Sequence, residues 1–75
     1  MANLERIERG DETRGPQHWE YSRIDTWKAD AKVTQDDLQT LLDEHYGMFP
    51  VVRATCEVMA DGMTVQVHVT EDNCQ

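Results

Sequence analysis

Residues 51–70 alternate apolar and polar positions twice, as VVRATCEVM and MTVQVHVT, on either side of Ala60, Asp61 and Gly62. Alternation of this kind sends every second side chain to one face of a strand. Asp-Gly between two such runs is a strong hairpin signal, because a type I′ turn needs positive φ at both central residues. With Asp61 and Gly62 in those places, Ala60 pairs with Met63 and the register follows. Val58, Cys56 and Ala54 then oppose Val65, Val67 and Val69 on an apolar side. Met59, Glu57, Thr55 and Arg53 oppose Thr64, Gln66, His68 and Thr70 on a polar one. A slip of one residue would mix the two sides.

The pattern switches to a helical period in residues 33–50. Thr34 is a good N-cap with Asp37 at capping-box spacing, and Val33 and Leu38 stand where a hydrophobic staple is made. Leu38, Leu41, Leu42 and His45 define one buried stripe. Gly47 stands where a left-handed C′ residue is wanted, Met48 could then reach back to Leu42, and Pro50 blocks continuation. The spacing predicts a helix over 35–46.

Residues 18–28, HWEYSRIDTWK, are ambiguous. As a strand they place Trp19, Tyr21 and Trp27 on one side and Ile24 on the other, which calls for a bulge or twist. As a helix, Ser22 caps it, Asp25 follows three residues on, and Ile24, Trp27 and Ala31 share a face. Aromatic content favours the strand, and a third strand makes a sheet viable where a lone hairpin is marginal. Residues 1–17 are mostly charged and polar and read as a flexible N-terminal arm; residues 71–75 read as a polar tail.

The expected fold is a small α+β two-layer domain over residues 18–70, in the order β-α-β-β, with a three-stranded sheet and one helix packed on one face. Its expected core is Ile24, Leu38, Leu41, Leu42, Phe49, Val52, Ala54, Cys56, Val58, Met63, Val65, Val67 and Val69, with one aromatic. The alternative order is ααββ. A chain of 75 residues with 39% hydrophobic and 29% charged residues supports one small domain. No run approaches the roughly 18 apolar residues of a membrane span. The N-terminus has no apolar h-region, so a cytoplasmic location is the expectation. Two cysteines make no disulfide framework.

Charge changes the picture most. The first 33 residues carry six cations against seven acids, whereas residues 34–75 carry Arg53 alone against eight acids, making −8 in total. Such a surface repels nucleic acid and anionic membrane and attracts basic surfaces. The histidines and cysteines (His18, His45, His68, Cys56, Cys74) show none of the close spacings that local metal sites use, so no metal and no cofactor is expected. No phosphate loop or nucleophile elbow is present, and no carboxylate pair is set up for acid–base work, so no catalytic residue is assigned.

Two groups remain as candidate partner-binding residues. One is the acidic helix face, Asp36, Asp37, Asp43 and Glu44, with no lysine or arginine at i, i+4 to relieve it. Asp43 and Glu44 even stand against the helix dipole. The other is the aromatic set Trp19, Tyr21 and Trp27, of which some must cover the sheet and any left exposed would form a sticky patch. Together they suggest a non-enzymatic protein-binding module. Its acidic helix would dock on a basic, nucleic-acid-binding surface of a partner protein, as phage-type nucleic-acid-mimicking inhibitors do, without binding nucleic acid directly. The alternative is a small structural subunit that forms a homodimer through an aromatic sheet face. A general salt adaptation would account for the acidity without any partner.

Overall fold

The computed structural model describes residues 2–14 and 19–72. The protein is a small α+β domain with one helix and a five-stranded antiparallel sheet. In chain order the elements are β1 (Leu4–Arg9), β2 (Thr13–Arg14), β3 (Glu20–Ala29), α1 (Gln35–His45), β4 (Val51–Val58) and β5 (Thr64–Asp72). The sheet order is β1-β3-β5-β4, with β2 also paired to β3. The β3-α1-β4-β5 portion follows the expected order, but the sheet is not three-stranded. Two further strands come from residues expected to be a flexible arm. Leu4 pairs with Ala29 and Arg9 with Asp25; after a break, Thr13 pairs with Ser22 and Arg14 with Tyr21. Charged side chains hid these strands, because most of β1 is exposed and needs no apolar alternation.

Residues 20–29 are a strand, which settles the ambiguity against the helical order. Their pairing with β5 runs from Glu20 opposite Asp72 to Lys28 opposite Thr64. Tyr21, Arg23, Asp25, Trp27 and Ala29 share the face that meets α1, while Ser22, Ile24, Thr26 and Lys28 lie on the other. Ile24 is therefore exposed rather than in the core. The residues displacing it inward, Arg23 and Asp25, are oppositely charged and neutralise one another.

The β4–β5 register is the expected one: Val58 opposes Val65, Cys56 Val67, Thr55 His68 and Arg53 Thr70. The turn is different. Gly62 has φ of 72° and no other described residue has positive φ, so Asp61 does not adopt the type I′ conformation. Residues 60–63 form a four-residue loop in which the Gly62 N–H donates to the Met59 carbonyl at 3.0 Å and the Met59 N–H to the Thr64 carbonyl at 2.8 Å. The Asp61 carboxylate accepts from the N–H groups of Met63 and Thr64 at 2.9 and 2.8 Å and from Lys28 Nζ at 2.9 Å. Those bonds tie Asp61 to the backbone of the turn and hold its carboxyl well below the usual carboxylate range. Two- and four-residue loops centred on the same point leave the pairing unchanged.

α1 begins as expected. The Thr34 hydroxyl accepts from the Asp37 N–H at 3.2 Å, and the Asp37 carboxylate accepts from the Thr34 N–H at 2.9 Å, closing a capping box. Its end differs: Gly47 is not left-handed, and Tyr46 caps the helix with its N–H on the Leu42 carbonyl. Met48 and Phe49 then project outward, Phe49 at 77% exposure, so neither reaches the core. Trp27, Leu41, Tyr46, Val65, Val67 and Val69 form the buried cluster, with Leu4, Val33, Leu38, Leu42, Val51, Ala54 and Cys56 packed around it. Val52 lies beside a β-bulge and is 55% exposed, Val58 is 38% exposed, and Met63 is half-buried in the turn.

Candidate functional site

The four helix carboxylates do not act alike. Asp37 is only 2% exposed and is consumed by the capping box, and it also accepts from the Ala2 N–H at 3.3 Å. The Thr34 N–H, with further help from the Thr34 hydroxyl and the Ala2 N–H, holds its carboxyl below the ordinary range. A residue bound in this way is part of the helix start and is withdrawn from the candidate surface. Asp36, Asp43 and Glu44 are exposed. Asp43 accepts from Gln39 Nε2 at 3.0 Å, a neutral donor one turn earlier. Among the described residues no lysine or arginine forms an ion pair with these three.

Four of the six upstream cations are engaged elsewhere. Arg9 pairs with Glu12, Lys28 with Asp61, Arg23 with Asp25 and Glu71, and Arg6 lies 3.8 Å from Asp25. The geometry thus brings Asp36, Asp43 and Glu44 together as an unneutralised surface on α1 and leaves out Asp37.

The aromatics do not form a sheet-face patch. Trp27 is 5% exposed and lies under α1, its ring centroid 4.7 Å from that of His45 and edge-on to Tyr46. Tyr21 is half-buried on the same face, and Trp19 is partly exposed in the turn before β3. The alternation that puts Trp27 on the helix side is the physical reason: the helix takes the aromatic face, and the open face is polar.

Beneath the helix lies a polar cluster that periodicity does not reveal. Asp25 is completely buried. Its carboxylate accepts from the Tyr46 hydroxyl at 2.7 Å, from Arg23 Nε at 3.0 Å and from the Gly10 N–H at 3.3 Å. Trp27 Nε1 donates to the Tyr46 hydroxyl at 2.8 Å, and Arg23 also bonds Glu71. Burial alone would raise the Asp25 pKa, but the bonds from Tyr46 and Arg23 bring it below the ordinary carboxylate range. Burial, followed by the bond to Asp25, pushes the Tyr46 phenol up to about 12. Among the described residues no buried side-chain polar atom lacks a partner. Each buried polar atom of the cluster thus has a partner, which suits a docking pin for the helix better than a reactive group. The signal for it was Arg23 and Asp25 two apart in a strand, since residues i and i+2 share a face.

The open face carries a shallow cleft of about 530 Å³, walled by Asp11 and Thr13 on one side and Arg53 and Thr55 on the other, with Ser22, His68 and Thr70 between. Cys56 is half-buried on the helix side, and burial pushes its thiol up. His18 and Cys74 lie outside the described residues. Among the described residues no three histidine, cysteine or acidic side chains are grouped to hold a metal ion, and no helix is long and apolar enough to cross a membrane. No protein-family model, no curated protein and no solved structure matches this chain.

Proposed function

We propose that this protein is a non-enzymatic binding module whose α1 surface, centred on Asp36, Asp43 and Glu44, docks against a basic surface of another protein. One observation carries the reading: among the described residues these carboxylates are exposed and in no ion pair with a lysine or arginine, while Arg6, Arg9, Arg23 and Lys28 are held by other acids. Asp43 and Glu44 oppose the helix dipole, each at a cost of a few tenths of a kcal/mol. A local rule broken without internal compensation marks a surface shaped for something outside the chain. Protein surfaces that hold nucleic acid are basic in this way, and occupation of one by α1 would make the protein a nucleic-acid mimic and an inhibitor. Aromatic self-association has lost its support, because Trp27 is under the helix.

Such docking is steered by charge, so its on-rate falls with ionic strength. The test is binding to a panel of purified basic nucleic-acid-binding proteins at low and high salt, comparing the native chain with Asp43→Lys/Glu44→Lys. A Glu5→Lys/Glu8→Lys variant changes net charge equally on β1 and serves as control. Loss of binding in the helix variant alone is expected; equal loss in both would reduce the effect to net charge and sink the α1 site.

A further inference from the structure

β4 is an outer strand: among the described residues it pairs only with β5. Such an edge offers unpaired N–H and C=O groups to another chain, and natural edges are commonly blunted by lysine or proline. The eight residues of β4, VVRATCEV, contain neither. The Met59–Thr64 hydrogen bond sets the phase of the ladder. By alternation, Arg53, Thr55 and Glu57 direct their backbone groups at β5, while Ala54, Cys56 and Val58 direct theirs outward. The only charges on the strand, Arg53 and Glu57, are exposed, opposite in sign and on the same face. Neither forms an ion pair among the described residues.

We infer that β4 pairs antiparallel with β4 of a second copy of this chain about a twofold axis at Thr55, joining two sheets into one. In that register Arg53 opposes Glu57 of the second copy, and Glu57 opposes its Arg53. These are non-hydrogen-bonded pairs, in which side chains come closest. Ala54 and Cys56 exchange the backbone hydrogen bonds. Sliding one copy by two residues in either direction breaks both charge pairs, and sliding by four sets like charges together. The register is therefore specified by the sequence of the edge itself. An isologous contact of this kind closes as a dimer and exposes no further β4 edge.

The pairing is independent of the α1 surface, so each can fail without the other. An edge contact is narrow, and the dimer should dissociate on dilution. Sedimentation velocity over a concentration series is the measurement. Arg53→Glu and Glu57→Arg, each at an exposed position, should each weaken the dimer by about tenfold or more, and the double exchange Arg53→Glu/Glu57→Arg should restore it. Circular dichroism confirms that each variant is folded. Thr55→Cys in a Cys56→Ser/Cys74→Ser background should close an intermolecular disulfide on mild oxidation, since the cross-strand spacing at the axis lies within disulfide reach. A native chain that stays monomeric throughout, or single exchanges that dimerise as well as the native chain, would overturn the proposal. Asp43→Lys/Glu44→Lys should leave the dimer intact.

Discussion

Tyr46 carries more of the architecture than its place at a helix end suggests. Its hydroxyl accepts from Trp27 and donates to Asp25, so it links the aromatic core to the buried charge. Tyr46→Phe leaves a buried indole N–H and a carboxylate each short of a partner, and a loss of about 1–3 kcal/mol in urea denaturation is expected. The phenol titrates near pH 10 when unfolded and about 12 when folded. Because the folded state holds the proton more tightly, this stabilisation is complete below pH 10 and disappears as the pH climbs towards about 12. In a Tyr21→Phe background, tyrosinate absorbance should follow that late titration, and Tyr46→Phe should remove its share of the alkaline loss. None of this could be read from hydrophobic periodicity. An arginine and an aspartate at inward positions look like an outward face until their mutual neutralisation is seen, so the sequence pattern alone places Ile24 in the core instead.

At the level of elements, the hairpin and the helix were legible because each rests on local chemistry. Alternating side chains fix the register of β4 against β5, and Thr34 with Asp37 fixes the helix start. β1 and β2 were not legible, because their partner, β3, lies beyond them in the chain and they bury little. Their attachment turns on Gly10. A Cβ there would stand 2.1 Å from the Ile24 carbonyl oxygen, and the Gly10 N–H reaches Asp25. Gly10→Ala should therefore push the β1–β2 connection off β3. A clear fall in thermal midpoint is expected, with faster amide exchange in β3. Deleting residues 2–14 should be worse still, since β3 becomes an edge and Asp25 loses a donor. A truncated chain as stable as the native one would return these residues to the status of an arm. The candidate surface was legible only in part: exposed acids on a helix are visible in the pattern, but the withdrawal of Asp37 into its own cap is a matter of geometry.

Across the whole molecule, four of the six cations of the first half, Arg6, Arg9, Arg23 and Lys28, are tied to acids of the sheet and its turns, and Asp36, Asp43 and Glu44 lie outside that network. Asp25 has a consequence for assembly as well. The β1–β2 connection through Gly10, β3 through Arg23 and α1 through Tyr46 all converge on it, and Arg23 extends the set to β5 through Glu71. An intermediate missing any one of them would strand an anion in oily surroundings, where a bare charge is disfavoured by several kcal/mol. Half-built forms are thus filtered out, and melting should be all-or-none. In a Trp19→Phe background, indole emission from Trp27 and far-ultraviolet dichroism should change together. Asp25→Asn discards the filter, and there the helix should come loose ahead of the sheet.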